Sequence, residues 1–314
     1  MRANDRIYVA GHTGLVGSAV MRALHRQGFD NLLVRDLTEL DLTDAAATHA
    51  FFQTERPDYV VLAAAKVGGI HANNTYPADF IRINLQIQTN VIDAAHRAGV
   101  KKLLFLGSSC IYPREAQQPI REEYLLTGPL ETTNDAYAIA KIAGIIMCQS
   151  YHRQHGSNFV AAMPTNLYGP HDNFDLQSSH VLPAMIRKFH DARVSGSTRV
   201  TLWGTGAPRR EFLYVDDLAD ALVFCLQKLN AGDLPGNFVN IGVGEDVTIR
   251  ELASLVADVV GYRGEVVWDA KMPDGTPRKL LDVSRLTALG WRPSKSLRDG
   301  IAETYAWFSK NRAQ

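Results

Sequence analysis

Only three cysteines, Cys110, Cys148 and Cys225, occur among the 314 residues, and no two stand at CxxC spacing. This excludes a disulfide framework and a cysteine-built metal site, and it leads us to expect a reducing, cytoplasmic setting with no metal. Long apolar runs are also missing. The longest in the middle of the chain, Tyr59 to Ala65, stops at Lys66, far short of the roughly 20 residues that cross a bilayer. The N-terminus passes from Arg2, Asp5 and Arg6 straight into Ile7 to Ala10, without the apolar core of a signal peptide. Charge of one sign is lacking too. Lys plus Arg number 33 and Asp plus Glu number 33, so there is no basic excess to neutralise phosphates, and a nucleic-acid partner is not expected. What is present, 46% hydrophobic and 21% charged residues, is the material of a folded enzyme with a large core and about two domains.

Short apolar runs at Ile7 to Ala10, Leu32 to Arg35, Tyr59 to Ala63, Leu103 to Leu106 and Phe159 to Met163 read as strands buried on both faces. Helical patterns separate them, such as Leu15 to Gln27 and Asn84 to Ala98, the latter stopped by Gly99. This alternation predicts an α/β fold with a doubly wound parallel sheet. After Met163-Pro164 the texture becomes richer in loops, with one further helix from Val181 to Arg193. The division is placed near residue 168, and the remainder is expected to be a smaller, irregular C-terminal α/β unit.

The first strand runs into Gly11-His12-Thr13-Gly14-Leu15-Val16-Gly17 and then a helix. Glycines at this spacing let the backbone approach a pyrophosphate at a helix N-terminus, as in a Rossmann-type fold. A packing turn is the plainer explanation for an isolated triplet, but the strand–turn–helix context favours dinucleotide binding. The second strand ends in Arg35-Asp36. Arginine there suits the 2′-phosphate of NADP, and aspartate suits the 2′-hydroxyl of NAD. Both readings stay open.

Tyr137 and Lys141 lie at i and i+4, on one face of a helix. An ammonium nearby favours a phenolate, so the Tyr137 pKa is expected to fall. Ser108, just past the fourth strand, is placed to hydrogen-bond the same carbonyl oxygen as Tyr137. Cys110 and His180 would ordinarily be a buried thiol and a helix-start imidazole. Beside a reducible ketone, both can exchange the acidic protons α to it.

These motifs resemble the extended short-chain dehydrogenase/reductase superfamily. More narrowly, Ala63 to Tyr76, Leu106 to Pro113, Tyr137 to Gly144, Pro164 to Asn173 and Pro273 to Leu281 are similar to the GDP-L-fucose synthase family nearly end to end. The resemblance implies a bifunctional enzyme. GDP-4-keto-6-deoxy-D-mannose would be epimerised at C3 and C5 through an enolate, then reduced at C4 by NADP(H), with NAD(H) not excluded. Tyr137 would be the acid, Lys141 its modulator, Ser108 the second hydrogen bond, and Cys110 with His180 the epimerising pair.

By the same carry-over, the cofactor would touch Gly11, His12, Thr13, Gly14, Leu15, Val16 and Gly17, the stretch from Leu37 through Asp41 and Leu42, and Leu106, Gly107, Ser108 and Ser109. Lys141, Pro164, Thr165, Asn166, Leu167 and His180 complete that set. The nucleotide sugar would touch Lys188, Trp203, Arg210 and Asp274. Some members carry arginines at the positions of Thr13 and Leu37; here Arg35 is the nearest basic residue. Residues 1–167, with a return segment around 211–243, would bind the dinucleotide, and residues 168–314 mainly the nucleotide sugar. A homodimer is implied, with the helices near Asn84 to Ala98 and Ala136 to Gln154 as its interface. The rival readings are a redox-neutral nucleotide-sugar epimerase or dehydratase holding NAD, and a non-catalytic dinucleotide-binding module.

Overall fold

The computed structural model describes residues 1–272 and 274–311. Pro273, at the head of one of the stretches above, and residues 312–314 lie outside the described residues. In chain order the first part contains β1 (Ile7–Ala10), α1 (Leu15–Arg26), β2 (Leu32–Leu33), α2 (Ala45–Glu55), β3 (Tyr59–Leu62), α3 (Ile70–Thr75) and α4 (Pro77–Arg97). It continues through β4 (Lys102–Leu106), α5 (Asp135–His155) and β5 (Phe159–Pro164). The second part contains β6 (Asn166–Tyr168), α6 (Val181–Ser195), β7 (Arg199–Trp203), β8 (Arg209–Arg210), β9 (Phe212–Tyr214), α7 (Val215–Lys228) and β10 (Phe238–Ile241). It ends with β11 (Val247–Thr248), α8 (Ile249–Val260), β12 (Glu265–Asp269), β13 (Arg278–Lys279), α9 (Ser284–Ala288) and α10 (Leu297–Asn311).

Six strands form one sheet in the order β10-β5-β4-β3-β1-β2, parallel at every pairing. Successive side chains point to opposite faces of a strand, and here each face has its own core. Ile7 and Val9 join Val61, Leu104 and Val160 under α1 and α7. Tyr8 and Ala10 join Val60, Phe105 and Phe159 under α2, α4 and α5. Burial on both faces explains why these strands are apolar without a polar alternation. β2 is two residues long, shorter than the apolar run from Leu32 to Arg35 suggests, and α4 starts at Pro77, ahead of Asn84. Proline suits a helix's first turn, where its missing N–H costs nothing.

β10 and α7 follow residue 168 in the chain but pack onto this sheet. The remaining elements gather around a third core of Leu182, Ile186, Phe189, Leu252, Val256 and Ile301. They carry three small sheets: β7 with β12, β6 with β9, and β8 between β11 and β13. No described helix is long and apolar enough to cross a membrane.

Candidate active site

Parallel register aligns the carboxyl ends of the central strands. Ala10 pairs with Leu62, Leu62 with Phe105, Leu106 with Ala162, and Pro164 with Ile241. The chain segments that follow, at Gly11, Ala63, Gly107 and Thr165, therefore leave the sheet along one edge, where such folds hold their ligands.

At Gly11 the backbone turns with φ +84°, and an added Cβ would lie 2.8 Å from Ala64 Cα. A Cβ on Gly17 would lie 2.0 Å from the Gly11 carbonyl oxygen. Both glycines are thus demanded by close backbone approach. Gly14 caps α1 without a side chain of its own, which leaves the first amides of the helix to an anion. His12 Nδ1 is buried with no partner in the protein. A cradle without side chains, a helix N-terminus and an unsatisfied imidazole suit a dinucleotide pyrophosphate. Thr13 is exposed and Leu15 and Val16 are half-buried.

Beyond β2, Arg35 pairs with Glu55 at 2.7 Å and lies over the Phe51 ring at 5.6 Å. Asp36 Oδ1 accepts from Thr38 N at 2.8 Å, Thr38 Oγ1 at 2.6 Å and Glu39 N at 3.0 Å. Both side chains meant to choose between the cofactors are therefore engaged within the protein. Leu37 is exposed, Leu42 is buried, and Asp41 accepts from Thr43. Where β5 gives way to β6, Thr165 and Asn166 donate to the Glu211 carbonyl at 3.3 and 2.8 Å. Pro164 is buried, and Leu167 is half-buried.

Lys141 is buried and donates to the Leu106 carbonyl at 2.8 Å, which ties α5 to the end of β4. Its Nζ lies 5.7 Å from the centre of the Tyr137 ring. Burial pulls its pKa down to about 8, opposed by Cys110. Tyr137 stands edge-on to Phe80. Its pKa moves opposite to the expected fall: burial holds the phenol well above its ordinary value, Cys110 adds to this, and the Ser108 hydroxyl opposes it. Desolvation penalises the phenolate more than the Ser108 hydrogen bond favours it. The group is a protonated phenol.

Ser108 opens a short 3-10 turn through Ser109 and Cys110. Cys110 Sγ donates to Ser108 Oγ at 3.1 Å, and Cys110 N does so at 3.4 Å. Gly107 packs against Met163, and Ser109 is buried. His180 caps α6. The residue is exposed, and Gly69 N, donating to the Ser178 carbonyl at 2.9 Å, joins the loop after β3 to the segment before it. That loop is itself held by Asn84, which accepts from Lys66 N and donates to Lys66 O. Desolvation by the atoms packed around it, with help from the Lys279 ammonium, lowers the His180 pKa. Burial raises that of Cys110, while Lys279, Ser108 and Lys141 pull it down.

Lys279 is the residue that sequence reasoning missed. In the small sheet, Arg278 pairs with Arg209 and Lys279 with Arg210. Partners across the two strands share a face, and alternation along each strand sends the two pairs to opposite faces. Asp246, whose side chain is only 4% exposed, holds one face by pairing with Arg209 at 2.7 Å and Arg278 at 2.5 Å. Arg210 and Lys279 take the other. Lys279 lines a small cavity of about 10 Å³ with Cys110, Tyr112, Glu131 and Thr276, and Arg278 borders it as well. A run reading Arg-Lys carries no sign of which residue faces inward; only its pairing with Arg209-Arg210 reveals it.

Asp246 also yields a prediction about stability. Burial alone would raise its pKa, but the two guanidinium groups outweigh it and hold the carboxyl below the usual range. A depressed folded-state pKa adds stability above the unfolded value near ~3.9 and loses it as pH falls through the folded value. Asp246→Asn is expected to cost about 2 kcal/mol at neutral pH. In thermal melts that deficit should begin to shrink as pH falls below about 4 and vanish only once pH has passed the depressed folded value.

The four proposed nucleotide-sugar contacts lie on neighbouring elements. Lys188 donates to the Thr201 carbonyl at 3.0 Å and sits 5.8 Å from the Trp203 ring centre; Trp203 is 49% exposed. Asp274 accepts from Thr205 N and Oγ1, each at 2.8 Å, so its carboxylate shapes the turn after β7. Arg210 lies over Gly275 and is half-buried; burial lowers its pKa, countered by Asp274 and Glu131. Among the described residues no cluster is suited to a metal ion.

Residues 7–242 match the NAD dependent epimerase/dehydratase family. GDP-L-fucose synthase 1 of Arabidopsis thaliana is 62% identical to this chain, over 98% of it and 94% of the relative. GDP-L-fucose synthase of Escherichia coli is 55% identical, over 98% of each. The solved structure of a GDP-L-fucose synthetase from Naegleria fowleri bound to NADP superposes with a TM-score of 0.90 at 29% identity, covering 100% of this chain and 97% of that one. The strand-edge glycine turn, the Tyr137–Lys141 helix and these likenesses together establish that the chain belongs to the NAD dependent epimerase/dehydratase family and, within it, to the GDP-L-fucose synthases.

Proposed function

We propose that the protein converts GDP-4-keto-6-deoxy-D-mannose to GDP-L-fucose by epimerisation at C3 and C5 and reduction at C4, with NADP(H) as the cofactor. The observation that carries this reading is the union of two chemistries on one strand edge. Ser108, Tyr137 and Lys141 serve a carbonyl oxygen, while Cys110, held to Ser108 at 3.1 Å, and His180 serve the carbons beside it. A redox-neutral 4-epimerase, which only removes and returns a hydride at C4, has no use for the second pair.

When bound, the reduced nicotinamide supplies a hydride to C4. The glycine turn from Gly11 to Gly17, with the α1 N-terminus, would hold the pyrophosphate. Ser108 and Tyr137 donate hydrogen bonds to the C4 oxygen. In epimerisation they stabilise an enolate, and in reduction Tyr137 passes its proton to the oxygen. Loss of the ketone then ends the acidity of C3–H and C5–H, so reduction must come last. Arg210 and Lys188 would bind the diphosphate, and Trp203 the planar base. Residues 1–167 with 211–243 would form the dinucleotide unit, and the rest the sugar-nucleotide unit. We also propose that α4 and α5, the latter exposing Ile139 and Ile146, pair with a second copy of the chain; a monomer by light scattering at micromolar concentration would refute this.

Nicotinamide absorbance, followed with the keto sugar and either NADPH or NADH, tests the reaction. Stoichiometric NADPH oxidation with GDP-L-fucose as the product is expected. Oxidation of neither cofactor, with NAD found bound to the purified protein, would overturn the reading in favour of a redox-neutral epimerase.

A further inference from the structure

We propose that Lys279 is a positioning residue of the epimerisation, its ammonium setting the protonation of the Cys110 and His180 pair. The inference rests on the reaction proposed above. The geometry is that of the β8–β13 pairing. Lys279 lines the cavity that Cys110 also lines; Arg278 borders it too, but is drawn with Arg209 to Asp246, which leaves Lys279, beside Arg210, outside that ion-pair network.

The charges that face these groups can be named from every side. Cys110 is faced by Lys279 and Lys141, and bonds to Ser108; its charge in turn bears on Tyr137. His180 is faced by Lys279. Lys279 is faced by Cys110, Arg210 and Glu131. Glu131 does not neutralise it cleanly, since its Oε1 accepts from Thr133 N and Oγ1 and Arg114 lies 3.6 Å from Oε2. Lys279 is thus the cation that acts on both members of the epimerising pair.

The step balances without a further reagent. The Cys110 thiolate takes the proton from C3 or C5, forming S–H as C–H breaks, and the electron pair moves onto the C4 oxygen as an enolate. The His180 imidazolium delivers its proton to the opposite face of the carbon, and the carbonyl returns. Thiol and neutral imidazole then recover their starting forms through solvent. A neighbouring ammonium favours the thiolate and makes the imidazolium a stronger acid, which are the two properties this sequence of transfers needs.

The test replaces Lys279 with Met, Gln and Arg. Thiolate absorbance of Cys110 is titrated as the difference between each protein and its Cys110→Ser counterpart. Loss of the charge in Lys279→Met or Lys279→Gln should move the thiolate midpoint up by about one pH unit or more, and Lys279→Arg should restore it. The acid limb of solvent deuterium exchange into C3 and C5 should move in the same direction. An unmoved midpoint in a folded Lys279→Met or Lys279→Gln protein would overturn the proposal, as would a shift in Lys279→Arg equal to that in Lys279→Met. A midpoint that moves while the exchange limb stays fixed would also overturn it. Absence of exchange in the unmodified protein would instead count against the proposed reaction, because the titration needs no substrate.

Discussion

Tyr137→Phe is expected to lower the turnover of keto-sugar reduction by about 10²- to 10⁴-fold, the range for a lost general acid. The substitution retains the ring that stands edge-on to Phe80, so it opens no cavity and removes one hydroxyl. Because burial keeps this phenol above its ordinary pKa, it carries its proton throughout the working range and can give it to the C4 oxygen. The loss should fall on kcat with KM little changed, since the proton is shared only in the transition state. The same site predicts an alkaline limb. With the Lys141 pKa near 8, the ammonium is present below that value and is lost as pH rises through it, taking reduction with it. Lys141→Met should abolish the limb along with most of the rate. A loss in Tyr137→Phe of less than about tenfold would remove Tyr137 from the role of acid.

Cys110→Ser is expected to have a comparable effect on the other half of the reaction. Serine preserves the shape of the turn beside Ser108, but at working pH an alcohol supplies almost no alkoxide, so proton removal at C3 and C5 loses its base. Deuterium exchange into those positions should fall by about 10²- to 10⁴-fold. Hydride transfer to C4 should fall far less, so that NADPH oxidation persists and delivers a reduced sugar that has not been epimerised. Product analysis by NMR separates the outcomes. If Cys110→Ser instead stops reduction of a substrate already epimerised, the division of labour between Cys110 with His180 and Tyr137 with Lys141 is wrong.

Much of this site is legible in the amino-acid sequence, for identifiable reasons. Gly11, Gly14 and Gly17 are contiguous with the strand and helix they join, and Tyr137 and Lys141 share a helix face because four residues make roughly one turn. Such features are local, so their meaning survives without knowledge of distant contacts. Other features depend on pairings across the chain. The identities of Arg35 and Asp36 do not decide the choice they pose. Arg35 meets Glu55, 20 positions away, and Asp36 turns back on Thr38 and Glu39. The Tyr137 shift runs against the expected direction because spacing reveals Lys141 but not the desolvation of the phenol or the Cys110 charge beside it.

By itself the sequence determined a parallel α/β sheet with a dinucleotide turn at its first strand, and the likeness of several stretches to one enzyme family. Strand period, helix period and glycine placement are properties of neighbouring residues, and these suffice for such conclusions. Tertiary structure alone decided that the Lys279 charge bears on Cys110, while Arg278, which lines the same cavity, is tied to Asp246. That outcome follows from β13 lying against β8 in one register while a buried Asp246, 32 positions from Arg278, holds the alternate arginines. A one-residue slip would exchange the two faces, and nothing local to Arg278-Lys279 prevents it.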